Sequence, residues 1–136
     1  MASAVVAPLL ESNLKETESL SGPGLRTFLN ISSAWGLSND EMRALLGHPS
    51  ESTFYQYKAG KCGTLSYDTL TRISLLIGIY KALHILYPDE SLADSWVRLP
   101  NRNPLFGGRP AIELMTLAGL DGLFQVRRLL DGRRSA

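Results

Sequence analysis

Residues 38–60 read Ser-Asn-Asp-Glu-Met-Arg-Ala-Leu-Leu-Gly-His-Pro-Ser-Glu-Ser-Thr-Phe-Tyr-Gln-Tyr-Lys-Ala-Gly. Ser38 and Glu41 have the spacing of a capping box: the serine hydroxyl accepts the Glu41 N–H, and the glutamate reaches back to the serine amide. Met42, Leu45 and Leu46 then supply the buried face of a short helix. Gly47 stops it, and Gly47-His48-Pro49-Ser50 makes a tight turn. The next helix is expected from Ser50 to Ala59, anchored by Phe54 and Tyr57 and ended by Gly60. Two short helices about a glycine-containing turn have the pattern of a helix-turn-helix.

In such a unit the second helix enters the major groove of DNA. Ser52, Thr53 and Gln56 are then the residues expected at base edges, and Tyr57, Lys58 and Lys61 those expected at phosphates. Within 38–61, Arg43, Lys58 and Lys61 are balanced by Asp40, Glu41 and Glu51. Phosphate neutralisation supplies most non-specific affinity, so a neutral head predicts weak binding per chain. A purely structural role for this helix is the competing reading.

Upstream, Leu25, Phe28, Leu29, Ser32 and Trp35 recur at helical spacing, so a first helix is expected over 24–35, with Gly36 ending it. Residues 1–23 mix Ser, Glu and Ala without clear period and are expected to be a flexible segment. Downstream, Ser66 suits the cap of a long helix reaching to Tyr87, with Asp68 in its first turn and Pro88 beyond its end. Tyr67, Leu70, Ile73, Leu76, Ile77, Tyr80, Leu83 and Leu86 form one apolar face. Leu75, Ile79, Ala82 and Ile85 cover much of the rest. A helix apolar nearly all round must be buried, either as the central core helix or as core plus a homodimer interface. Arg72, Lys81 and His84 within it argue against a membrane span. A shorter helix is expected over 89–99, with Leu92, Trp96 and Leu99 on one side.

Residues 101–110 read Asn-Arg-Asn-Pro-Leu-Phe-Gly-Gly-Arg-Pro. Prolines at both ends bar helix before them, and the paired glycines permit turns that other residues resist. This is a structured loop, and Pro110 suits the first position of the helix that follows to Ala118. Gly119 breaks that helix. A last one is expected from Leu120 to Leu130, with Arg133 and Arg134 in a tail beyond Asp131-Gly132. The fold class is therefore all-α.

Asn103-Pro104-Leu105-Phe106-Gly107-Gly108-Arg109-Pro110, then Glu113-Leu114-Met115 and Gly119, resembles the C-terminal toxin-binding domain of the Xre/MbcA/ParS antitoxins. Trp96-Val97-Arg98-Leu99-Pro100 is similar to that domain's lead-in. The resemblance runs from Leu37 to Asp131 and is most specific from Trp96 to Gly119. Asn101-Arg102 lengthen the link where the family usually passes directly from proline to asparagine. The resemblance implies an Xre-like helix-turn-helix bundle for DNA binding and dimerisation over 24–88, and a small helical toxin-binding domain over 89–136. It also implies a RES-domain toxin partner that consumes NAD or modifies targets with it, neutralised by binding near its pocket. The expected toxin contacts are Asn103, Phe106, Gly107, Gly108, Arg109, Leu123, Arg127, Arg128, Leu130, Arg133 and Arg134. Operator DNA is the second expected partner, bound by a homodimer that represses its own operon.

Charge supports a basic C-terminal part. Residues 98–136 hold seven arginines against three acids, whereas the whole chain of 136 residues carries a net charge of only +1. Basic patches attract nucleic acid or acidic protein surfaces. A single cysteine, Cys62, excludes an intrachain disulfide and suits a reducing, cytoplasmic setting. Residues 1–10 lack the basic start of a secretory signal. Candidates for catalysis are thin. His48 sits in a turn, His84 sits in an apolar helix, and with Cys62 they form no metal-ligand pattern. No metal or cofactor is expected, and no enzyme. The alternatives are a stand-alone helix-turn-helix regulator without a toxin and, well behind it, a small-anion-binding enzyme built on Gly107-Gly108-Arg109.

Overall fold

The computed structural model describes residues 6–135. Seven α-helices follow one another along them: α1 (Val6–Ala34), α2 (Asn39–Leu45), α3 (Glu51–Lys58), α4 (Tyr67–Leu86), α5 (Glu90–Ser95), α6 (Ala111–Leu117) and α7 (Gly119–Ser135). A 3-10 turn, Trp96–Arg98, extends α5. Among the described residues the only extended pairing is an isolated antiparallel bridge between Pro100 and Pro110. The all-α class is the one expected.

α4 is the centre. Its most extensive packing is against α7 and then α1, with α5 at its other end. Ile73, Leu76, Ile79, Ala82 and Leu83 are fully buried. Burying such an aliphatic side chain stabilises by about 1.5–3 kcal/mol, so this one helix accounts for much of the favourable term. Leu25, Phe28 and Ile31 of α1 meet it from one side, and Leu123, Val126 and Leu130 of α7 from another. The buried residues of 24–88 and of 89–136 thus form one continuous cluster. By length and composition α4 also meets the criterion for a membrane-crossing helix. Here α1, α5 and α7 pack against it and bury part of its surface, while Tyr67 and Ile85 of the expected apolar surface remain exposed.

The three glycine stops expected before, between and after the two short helices are all present, and all use the same device. Gly36, Gly47 and Gly60 have positive φ. Gly47 N–H donates to Ala44 O at 3.1 Å and His48 N–H to Arg43 O at 2.9 Å. The same pair of bonds recurs from Gly36 and Leu37 to Ser33 and Ser32, and from Gly60 and Lys61 to Tyr57 and Gln56. This is the Schellman closure, which satisfies orphan carbonyls only if the residue after the cap enters the left-handed region. At the second stop His48 follows Gly47 into that region, φ 58°, and Arg43 Nε holds the turn by donating to Pro49 O at 2.7 Å. The capping box is formed as expected, with Glu41 N–H to Ser38 Oγ at 3.1 Å and Ser38 N–H to Glu41 Oε1 at 2.9 Å.

Four expectations need correction. The flexible segment is helix from Val6 onward, continuous with the expected first helix through Pro23. Proline removes one helical hydrogen bond, but Ser21, two residues before it, is a buried tie. Its hydroxyl accepts the Leu65 N–H at 2.9 Å and donates to Thr17 O at 2.8 Å. Pro110 is the N-cap of α6 (ψ 144°) and not its first residue. In the 89–99 stretch Leu92 and Leu99 are exposed, and Ala93, Trp96 and Val97 are the buried positions, because the helix tightens to a 3-10 turn at Trp96. Finally, α7 does not stop at Leu130: Gly132 is helical, and Arg133 and Arg134 lie on the last turn.

Two glycines inside helices mark close approaches. A Cβ on Gly78 would overlap the Arg127 guanidinium, which lies across α4 at that point. A Cβ on Gly122 would lie 2.6 Å from the Leu114 carbonyl oxygen, where α7 folds back on α6. Arg127 has a flexible end and can yield; the backbone of α6 cannot. Gly122→Ala is expected to destabilise the fold by about 1–3 kcal/mol, the usual cost of overpacking, despite alanine's better helix propensity. Denaturant titration of the two proteins checks this.

Candidate functional site

The helix-turn-helix presents α3 outward. Phe54 is buried and Tyr57 half-buried against the core, so these two hold the helix down. The opposite face carries Ser52, Tyr55, Gln56 and Ala59, all exposed and at the i, i+3, i+4, i+7 spacing that makes one stripe. Of the residues expected at DNA, Ser52, Gln56 and Lys61 are therefore open to a partner. Thr53 is engaged in the helix cap: its N–H donates to Ser50 Oγ at 3.2 Å and its hydroxyl is 2.9 Å from the same oxygen. Lys58 is exposed but donates to Asn39 Oδ1 at 2.8 Å, bridging α3 to the start of α2. Tyr57 faces inward for most of its surface. Tyr55, 51% exposed, was missed. Its signal is its spacing, i+3 from Ser52 and i−1 from Gln56, which places it on their stripe.

The loop over 101–110 is built by its own polar groups. The Pro100–Pro110 bridge pinches its ends, and Asn101 N–H donates to Arg109 O at 3.3 Å. The Asn103 N–H donates to Asn101 Oδ1 at 3.0 Å, and the Leu105 N–H to Asn103 Oδ1 at 2.9 Å. Both are Asx turns. Phe106 then turns inward, nearly fully buried, edge-on to Trp96 at 5.9 Å between ring centres. Gly107 and Gly108 both take positive φ and leave open space around them. Arg109 is exposed, with Glu113 Oε2 3.8 Å from its Nε. Of the five loop residues expected to touch a toxin, Gly107, Gly108 and Arg109 present surface. Asn103 shapes the turn, and Phe106 fastens the loop to the core.

α7 divides its residues more sharply. Leu123 and Leu130 have no exposed surface, so the expectation that they anchor a partner is corrected: they pack α7 onto α4. Arg127 is half-buried over Gly78, with its Nε 2.9 Å from Asp131 Oδ2. It serves the helix crossing first. Arg128, Arg133 and Arg134 are exposed. Arg128 donates to Phe124 O at a long 3.4 Å, and Arg134 lies 3.9 Å from Asp131, so all three guanidinium groups are available to acidic partners. Phe124, itself partly exposed, stands one turn from Arg128.

Arg98 joins the two surfaces. Its Nε donates to Trp35 O at 2.9 Å and its Nη2 to Gly36 O at 2.7 Å, capping the carbonyl end of α1. The same guanidinium grips Glu41, with Nη2–Oε1 at 2.6 Å and Nη1–Oε2 at 3.2 Å. Glu41 is the capping-box residue of α2, so the lead-in to the loop is tied to the helix-turn-helix by a bidentate pair. Sequence reasoning left Arg98 out, because nothing in a pattern links positions this far apart. The Arg98 hydrogen bond holds the Glu41 carboxyl below its usual value, against the opposing effect of burial. Elsewhere His84 Nε2 lies 2.8 Å from Asp94 Oδ1 and its ring stacks on Tyr80, joining α4 to α5. That is a structural use of the histidine.

Known families match this chain in two blocks. Residues 16–78 match the antitoxin Xre-like helix-turn-helix domain. Residues 82–135 match the antitoxin Xre/MbcA/ParS C-terminal toxin-binding domain. Over 110 residues the chain is 40% identical to the uncharacterized protein y4oB of Sinorhizobium fredii, covering 81% of this chain and 83% of that one.

Arg98→Ala is expected to lower stability near pH 7 by about 1–3 kcal/mol, the range for hydrogen bonds to charged groups. A depressed carboxyl contributes stability above its unfolded value, and that contribution is lost as pH falls through the lower folded value. The gap between the two proteins should therefore hold at neutral pH and narrow only below about pH 4.5, as Glu41 protonates. Urea titrations across that range measure it.

Proposed function

The chain belongs to the Xre/MbcA/ParS-type antitoxins, and we propose that it neutralises a cognate RES-family toxin by binding close to the pocket where that toxin consumes NAD. The observation that carries this reading is the match of residues 82–135 to a toxin-binding domain, within which Arg109, Arg128, Arg133 and Arg134 are each exposed. A pocket that handles NAD presents carboxylates and other polar groups in a cleft. Guanidinium groups pair with carboxylates in parallel hydrogen bonds. Inhibition is then occlusion: the toxin keeps its catalytic groups but cannot admit dinucleotide. No chemistry by the antitoxin is required, and we assign it none. The same match favours this reading over a regulator without a toxin.

In this proposal the helix-turn-helix half dimerises and represses the operon from the cytoplasm. Support for dimerisation comes from the outer face of α4. Tyr67 and Ile85 are exposed, and a shallow apolar groove with Leu20, Leu70 and Ile77 along it runs between α1 and α4. Two copies would double the phosphate contacts of a neutral reading head, which a single copy needs most. Symmetry of the dimer would then set the spacing of the operator half-sites.

Co-expression tests the central proposal. The neighbouring gene's product, made alone, is expected to arrest growth and deplete cellular NAD. Both effects should vanish when this chain is supplied. A harmless neighbour, or one whose toxicity persists beside this chain, would refute the reading. Truncation is a poor substitute, because removing 120–136 takes Leu123, Val126 and Leu130 out of the core.

The DNA half is tested separately by binding to the promoter of its own operon. Gln56→Ala should cost about 1–3 kcal/mol on the preferred sequence and relax specificity, whereas Lys61→Ala should weaken all sequences and reduce the salt slope by about one. Equal affinity of Gln56→Ala and the parent for that promoter would remove α3 from base reading.

A further inference from the structure

An apolar depression of about 150 Å³ opens between the 101–110 loop and α6, with Leu105, Phe106, Leu114 and Leu117 around it. Leu117, the last residue of α6, stands at its mouth 80% exposed. Leaving a leucine open to water forgoes most of the stabilisation its burial would bring. Leu117 would gain that burial if a partner's side chain filled the hollow beside it. A surface hollow of this volume has room for a single side chain. The depression therefore suits one side chain, not a helix or a strand.

Its rim selects the neighbour of that side chain. Arg109 lines the depression and is 74% exposed on its side chain. Its one acid, Glu113, is 3.8 Å away, too long for a hydrogen bond. An exposed pair at that separation contributes little, so the guanidinium is free to take a better acceptor. Beside it Gly107 and Gly108 leave open space, which lets a partner's backbone approach. Arg109 is the one cation lining the depression, and its weak hold on Glu113 makes a partner carboxylate the complementary group.

Resting on the antitoxin reading above, we infer that this depression is where the toxin seats its anchor: a single aromatic or leucine-sized side chain, flanked by an aspartate or glutamate that takes the Arg109 guanidinium. The apolar group fills the hollow and covers Leu117, while the carboxylate displaces Glu113 from Arg109. Buried anchors in such pockets carry most of an interface's energy, with charged groups at the rim setting orientation.

The test uses the full chain and the purified product of the adjacent gene, with affinity measured by calorimetry. Leu117→Ser should weaken the complex about 30-fold, as expected of a hot spot, and Arg109→Ala about tenfold, as for a lost charged hydrogen bond. Both residues are exposed, so the thermal unfolding of each variant alone should match the parent. If the parent binds and Leu117→Ser binds within about twofold of it, the anchor is elsewhere and this inference falls while the antitoxin reading stands. Loss of affinity only on replacing Arg128, Arg133 and Arg134 has the same meaning. If the parent itself does not bind that product, both readings fall together.

Discussion

α4 imposes the constraint from which the rest of the molecule follows. A helix of twenty residues that is apolar on most of its sides loses much stabilisation unless most of them are covered. α1 and α7 lie against it for that reason, and α5 closes its far end. The two short helices and the loop are then carried on elements already fixed. Because α1 belongs to the helix-turn-helix block and α7 to the block that matches a toxin-binding domain, covering α4 also fuses the two blocks into one core.

That fusion has a functional consequence. Separate domains on a linker can bind their partners independently. Here the loop's lead-in holds α2 through Arg98 and Glu41, and the same arginine caps α1. The α3 stripe and the 101–110 loop therefore keep a fixed relation. Whatever docks on one surface meets the other at a set distance and angle. The connection is a bidentate, hydrogen-bonded salt bridge whose arginine also holds two carbonyls of α1's end, which fixes it better than a lone ion pair.

The arginines show how charge composition misleads when read without a fold. Seven of them in the last third of the chain form a single basic feature in the sequence. In the structure they separate into different roles. Arg98 ties the blocks, Arg127 lies over Gly78 in a helix crossing, and Arg109 guards an apolar depression. Arg102, Arg128 and the two arginines of the last turn are exposed. Only side chains that remain unpaired and exposed offer a partner a net gain, because a guanidinium already engaged must lose one set of bonds to form another.

What the sequence determined by itself was local. The capping box at Ser38, the glycine stops at 36, 47 and 60, the cap at Ser66 and the turns of the 101–110 loop each depend on bonds within a few residues, so a few residues specify them. The burial of α4 was legible too, since all-round apolarity leaves a helix no other place. Tertiary structure decided everything that required two distant segments to meet. It carried α1 through Pro23, where the buried Ser21 takes the Leu65 amide. It moved Leu123 and Leu130 from the interface to the core, because α7 had to cover α4. It gave Gly122 and Gly78 their purpose, and it brought Arg98 to Glu41. An amphipathic pattern tells which face of a helix is apolar but not what covers that face. Whether a leucine meets the chain's own core or another protein is settled only when the helices are packed.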